Sequence, residues 1–216
     1  MSDVALTFPN WLAITLSAIF ILANLAGAWL ITLTVAPAYT APTHDRRWIY
    51  LSPIFSIGLA APFLYDPLAY ALCVGVLAWL APAIMIDSAT HKLPNLLTVG
   101  TSVAAVLGSI LLAIYHWDGT IFFSSLLIAA FATIVLVMMY QMGFGLGAGD
   151  VKLFPALVMC ASSTGTALTF FLALAIFPGF YALALLMLGN DRHKRIAYGP
   201  WMALALCLAL WINAFI

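Results

Sequence analysis

The sequence predicts an all-α integral membrane protein, a polytopic bundle of about eight transmembrane helices at ~20 apolar residues each, with both termini on the non-cytoplasmic side. Three observations carry this. First, 66% of the 216 residues are hydrophobic and 6% are charged, whereas soluble domains carry roughly a quarter charged residues and need them to cover their surface. The mean hydropathy is +1.15, so lipid is the expected solvent and no sizeable extramembrane domain fits. Second, polar residues gather in short breaks between long apolar runs. Third, every Lys and Arg falls in alternate breaks.

The breaks divide the chain into apolar segments at about 11–36, 48–65, 68–86, 96–115, 121–142, 153–161 with a short extension, 167–188 and 201–216. The first run is long enough to span, and residues 1–10 hold Asp3 but no Lys or Arg, so it reads as a helix and not a cleaved signal. Arg46, Arg47, Lys92, Lys152, Arg192, Lys194 and Arg195 share one side, while Asp3, Asp66 and Asp118 collect on the other. Basic loops stay in the cytoplasm, which orients the bundle. Residues 153–188 must cross an even number of times, as two short helices or with a re-entrant first piece. Trp11, Trp48, Trp117 and Trp201 lie near segment ends, as interfacial anchors do. The run Asp191-Arg-His-Lys-Arg195 reads as a topology determinant facing anionic lipid.

Composition also narrows the partners. The net charge is zero, so no nucleic acid is expected, and the lipid bilayer itself is the first partner. Cys73, Cys160 and Cys207 sit singly in apolar runs without a CxxC or a Cys/His pairing, and read as small buried hydrophobes. Neither a metal nor another cofactor is expected.

All the acids are Asp, and most lie in loops where a solvated charge needs no explanation. Two differ. Asp87 closes the third apolar segment and Asp150 lies just before the sixth, two crossings apart and so on one membrane face. A carboxylate at the membrane boundary is costly to desolvate and is a functional candidate for that reason. Two such groups sharing a proton can activate water and protonate a scissile carbonyl. The helix dipole favours an anion at the N-terminal end of a helix and opposes one at the C-terminal end. That makes Asp150 the expected base and Asp87 the resting acid. The run Gly143-Phe-Gly-Leu-Gly-Ala-Gly-Asp150 sets alternate glycines before the acid, where they can take positive φ and admit a second backbone closely. No Walker Lys-Ser/Thr follows, so a phosphate loop is poorly supported.

These residues resemble a known family. Gly147-Ala-Gly-Asp-Val-Lys-Leu153 is similar to the GxGD signature of the type IV prepilin peptidases, and Asp87-Ser-Ala-Thr-His-Lys-Leu-Pro-Asn-Leu-Leu-Thr98 is similar to their other aspartate block. Tyr198-Gly-Pro200 is similar to their closing aromatic-Gly-Pro element. The resemblance covers about residues 70–216, the expected catalytic core, and leaves 1–69 as N-terminal helices of uncertain role within a single membrane domain 1–216. It implies an aspartic endopeptidase with Asp87 and Asp150 catalytic, and Gly147, Gly149, Lys152, Pro94, Asn95, Tyr198, Gly199 and Pro200 positioning substrate or completing motifs. The implied reaction removes a short basic leader from prepilin or pseudopilin precursors at the cytoplasmic face of the inner membrane, with indirect contact to pilus or secretion machinery.

Longer family members insert a cysteine-rich cytoplasmic region associated with methyl transfer. Here residues 37–47 have no cysteine, so a peptidase-only form is expected. Pro155-Ala-Leu157 matches the PAL motif of presenilin-like proteases, but there it lies on a later helix, and Ile86 stands where that family has Tyr before its first Asp. Coincidence is the plainer reading. Beside Asp87, His91 reads as a solvated interface residue. From other classes come a small transporter or proton-coupled channel using the paired Asp residues, which mid-membrane acids and inverted repeats would favour, and a non-catalytic scaffold of pilus or secretion assembly.

Overall fold

The computed structural model describes residues 10–39, 47–143, 146–187 and 198–213. Among them run α1 (Asn10–Tyr39), α2 (Arg47–Leu59), α3 (Pro67–Thr90), α4 (Asn95–Tyr115), α5 (Gly119–Gln141), α6 (Ala148–Ser163), α7 (Ala167–Met187) and α8 (Gly199–Asn213), with a 3₁₀ turn at Ala61–Phe63. Helices are the form expected of apolar runs in lipid, where each backbone N–H and C=O must be satisfied within its own segment. α1 from Trp11, α3, α4 and α5 are each long and apolar enough to cross a membrane. α2, α6 and α8 have 13, 16 and 15 residues, which at ~1.5 Å per residue rise less than a ~30 Å hydrocarbon core.

The observed elements shift several expected boundaries, each for a local reason. The first helix continues beyond residue 36 to Tyr39, with Pro37 in its last turn. The second stops at Leu59 instead of 65 because Pro62 has no N–H for the Gly58 carbonyl. Its place is taken by the tighter turn at Ala61–Phe63. α3 runs on to Thr90, so Asp87 lies inside the helix and not beyond it. α6 starts at Ala148, which puts Asp150 in its first turn. The last helix already begins at Gly199, and its expected extension over residues 214–216 lies outside the described residues. Also outside them are Asp3, Arg46 and the run 191–195.

α3 is the axis of the bundle. It packs against α1, α2, α4, α6 and α8, while α5 packs on α6 and α7 on α8. α3 begins at an Asp66 cap whose carboxylate accepts the Leu68 and Ala69 amides, both at 3.1 Å, with Pro67 following where no N–H is required. α5 begins likewise at Asp118, which accepts the Thr120 hydroxyl at 2.6 Å and amide at 2.9 Å. Those two bonds, the hydroxyl's first, hold the Asp118 carboxyl below the usual carboxylate range.

Side-chain bonds fix which element ends lie together. His116 Nε2 meets Asp66 Oδ2 at 2.8 Å, joining the turn before α3 to the turn after α4. Trp211 Nε1 donates to the Leu59 carbonyl at 3.1 Å, bringing the end of α8 to the same level. At the opposite end Lys152 Nζ donates to Asn95 Oδ1 at 3.1 Å, joining the starts of α4 and α6. Ser109 and Ser163 hydroxyls meet at 2.7 Å, about 20 Å along α4 from Asn95 at the helical rise. α6 therefore runs alongside α4 from Asn95 to Ser109, short of the end of the bundle marked by His116 and Asp66.

Close packing at glycine positions sets the helix separations. Trp79 on α3 lies against Gly27 of α1 and Gly100 of α4, and its indole Nε1 donates to Asn24 Oδ1 at 2.9 Å. Small residues and an interhelical hydrogen bond are what join helices in lipid, where apolar burial alone gives no preference. A Cβ at Gly100 would overlap the Trp79 ring. Gly100→Ala is expected to cost about 1–3 kcal/mol, as core overpacking does, read as a lower thermal unfolding midpoint in detergent. Cys73, Cys160 and Cys207 are free thiols, the first two buried. Although isolated in sequence they converge from α3, α6 and α8, with Cys73 and Cys160 in thiol contact. Pro155-Ala-Leu157 lies within α6, where Ala156 and Leu157 are buried core.

Candidate active site

Both singled-out aspartates lie at the same end of the bundle. Asp87 sits one turn inside the C-terminal end of α3, and the chain leaves the helix at His91, whose amide donates to the Asp87 carbonyl at 2.7 Å with φ +52°. Ala83 and Ile86, within the preceding turn of α3, pack with Val35 and Ala36 of α1, Ile49 of α2 and Leu97 of α4. The residues before 70 thus pack against the end of the helix that carries this acid. Its side chain is buried, at 5% exposure, and Oδ2 has no hydrogen-bond partner in the protein.

Asp150 is the third residue of α6 and is 6% exposed. Its Oδ2 accepts the Gly147 amide at 3.0 Å. This is half of a capping box; the other half needs a hydroxyl or carboxyl at the cap, which Gly147 does not have. A Cβ on Gly147 would come within 2.9 Å of that same carboxylate oxygen. The glycine run divides its work among positions: Gly143 takes φ +80°, and Gly149 allows close approach. Phe144 and Gly145 lie outside the described residues.

Leu93 joins the two acid-bearing segments. A Cβ on Gly149 would fall 2.8 Å from Leu93 Cβ, and one on Gly199 would lie 3.7 Å from Leu93 Cδ1 and 2.8 Å from Asp87 Oδ2. The wedge between the α3–α4 turn, the start of α6 and the start of α8 is therefore closed by one leucine against two glycines. Asp87 and Asp150 come close enough for their charges to act on one another. Tyr198 stands beside them. Burial first, and then the Asp150 charge, push its phenol above the ordinary value, which keeps the hydroxyl protonated and able to donate.

The other motif residues have distinct places. Pro94 is buried at the cap of α4, and its carbonyl accepts the Leu97 and Thr98 amides, both at 3.1 Å. Asn95 and Lys152 are exposed and tie the two aspartate blocks together from outside. Pro200 lies in the first turn of α8, where its missing N–H costs nothing, and the Tyr198 carbonyl accepts the Trp201 and Met202 amides, both at 3.1 Å. His91 and Lys92 are exposed. Asp87, Asp150, Gly147, Gly149, Tyr198 and Gly199 thus gather, while Lys152 and Asn95 form a brace at the rim. Asn95→Ala is expected to lower stability by about 0.5–1.5 kcal/mol, the net worth of one hydrogen bond, measured as a small shift of the unfolding midpoint. Leu93 sits inside the first aspartate block, where a leucine carries no chemical signal in the sequence.

Among the described residues no group of three or more His, Cys, Asp or Glu could hold a metal ion. What the arrangement offers is two buried carboxyls on separate helices, a free carboxylate oxygen, a backbone donor, and a phenol. A family model described as the type IV leader peptidase family matches residues 74–183, about half of the chain. No curated protein and no solved structure matches it.

Proposed function

The chain belongs to the type IV leader peptidase family, a multi-pass membrane peptidase, and on that premise we propose that it is an aspartic endopeptidase that removes the leader from prepilin or pseudopilin precursors. One observation carries the proposal: two aspartates from α3 and α6, each about nine-tenths buried or more, lie at one end of the bundle within range of each other's charge, and one carboxylate oxygen has no partner in the protein. Buried polar groups are ordinarily satisfied, so one left open is an exception that a catalytic role explains.

In the proposed mechanism a water lies between the carboxyls. One takes its proton as the oxygen attacks the scissile carbonyl, and the other donates a proton to the carbonyl oxygen. Collapse of the tetrahedral intermediate breaks the C–N bond, with a proton delivered to the leaving amine. The pair titrates as one system, so the shared proton belongs to both. No metal takes part.

The orientation follows from charge. Lys92 and Lys152 lie at the same end as the aspartates, and the distal turns hold Asp66 and Asp118. The positive-inside rule supports a site at the cytoplasmic face of the inner membrane, and with it the reading of eight crossings and both termini on the other side. A precursor helix lying in the bilayer with its basic leader in the cytoplasm would present its scissile bond at this depth. Methyl transfer is not part of the proposed activity, since residues 37–47 carry no cysteine.

The test is mass spectrometry of prepilin precursors of several classes, incubated in liposomes with wild type, Asp87→Ala and Asp150→Ala, with S-adenosylmethionine present. Wild type should release the leader and leave an unmethylated product; neither variant should. Cleavage surviving either substitution would end the proposal.

A further inference from the structure

α5 and α7 stand on either side of α6, and an apolar groove of about 390 Å³ opens between them. Its walls include Phe131, Ala132 and Val135 of α5, with Leu174 and Ala175 of α7. No charged residue lines it. Leu146 and Tyr198 also line it, and each directly precedes a glycine of the site: Gly147, whose amide holds Asp150, and Gly199, which abuts Asp87.

We propose that this groove receives the apolar helix of the precursor, the segment on the far side of the scissile bond from the basic leader. The inference rests on the peptidase reading above and adds where the substrate lies. Continuity with the aspartates is the first argument. A chain leaving the carboxyl pair past Leu146 and Tyr198 runs directly into the groove. The second argument is direction. Val35 and Ala36 of α1 and Ile49 of α2 pack on this end of α3 at Ala83 and Ile86, so that side of the helix is already covered. A second cavity, between α4 and α5, is lined by Trp117 and Gly119. Trp117 follows His116, which bonds Asp66 at the far end of the bundle, so that cavity is remote from the acids.

The lining fits a helix in particular. In lipid an apolar groove gains nothing by contacting apolar surface as such, because acyl chains offer the same. Selection must come from shape, and Ala132 and Ala175 on facing walls let an incoming backbone approach closely while Phe131 and Phe171 pack around it. The α5 wall runs from Ile128 to Met139, a rise of about 16 Å, or three turns of a docked helix.

Photocrosslinking with benzoyl-phenylalanine tests this directly. The probe is placed singly at Phe131 and Leu174 in the groove, and at Val103 and Leu107 on the exposed face of α4 as controls. The protein carries Asp150→Ala so that a prepilin precursor in liposomes stays uncut. Adducts from Phe131 and Leu174 to the precursor's apolar helix, with none from α4, are the expected result. Equal adducts from both faces, or groove adducts only to lipid or to a second copy of this chain, would overturn it.

Kinetics supply an independent readout. Ala175 is exposed, so Ala175→Trp fills the groove without disturbing the core. It should raise KM for the precursor about tenfold while changing kcat less than about twofold, the pattern of lost binding common to ground and transition states. Wild-type cleavage that Ala175→Trp leaves unaltered refutes the groove and spares the peptidase reading. Precursor crosslinked at Phe131 by a protein whose wild type cuts nothing does the reverse.

Discussion

Asp87→Ala and Asp150→Ala should each lower kcat/KM for precursor cleavage by at least about a thousandfold, the upper part of the range attributed to a positioned acid or base. The double variant should be no worse than the poorer single one. Groups that act as one unit lose their whole contribution when either is removed, so their effects do not add. The folded state should survive in both. Each carboxyl is held within the protein only by a glycine amide, Asp87 by that of Gly199 and Asp150 by that of Gly147. The check is single-turnover cleavage in liposomes, paired with thermal unfolding in detergent. Additive losses in the double variant would mean that the two acids work separately.

Gly199→Ala should reduce cleavage by about 10- to 100-fold, the scale on which misplacing a reacting group by an ångström is felt. A methyl at this position would lie 2.8 Å from Asp87 Oδ2. The carboxylate is the far end of a short side chain and can rotate, so the fold is kept and the acid is displaced. Leu93 Cδ1 lies 3.7 Å from the added carbon and limits the directions open to it. The loss should appear in kcat, with KM and the unfolding midpoint little altered. A variant that cuts normally would show that Asp87 has room to spare. A variant that merely unfolds would show that the glycine serves the α3–α8 contact.

Much of the fold was legible because its signals are local. The breaks at Asp66-Pro67 and Trp117-Asp118 read as ends from the residues themselves, and both acids proved to be helix caps. The two aspartate blocks were legible as sequence motifs. Less so were the helix ends beside them. Asp87 looked terminal because the polar run 88–92 follows it, yet α3 continues for three more residues, since polar residues prolong a helix freely once it leaves the hydrocarbon. Asp150 precedes the apolar run that starts at 153, behind glycines that read as a loop, and lies inside the first turn of α6. The thiol contact of Cys73 with Cys160 had no sequence signal at all, since the two are far apart in the chain and chemically bland.

By itself the sequence determined that this is a multi-pass helical protein of lipid, where its helices break, and which two acids a chemist should ask about. Those properties follow from transfer free energies and charges that each residue carries wherever it sits. Only the tertiary structure decided which helices are neighbours: that α3 is the axis, that α1 and α2 pack on its C-terminal end, that Leu93 locks between Gly149 and Gly199, and that α5 and α7 stand apart over α6. The reason is that helices apolar on every side have no hydrophobic face to reveal their partners. In lipid the choice falls to steric fit at positions such as Gly27, Gly100 and Gly199, and a glycine's neighbour is not written in its own sequence.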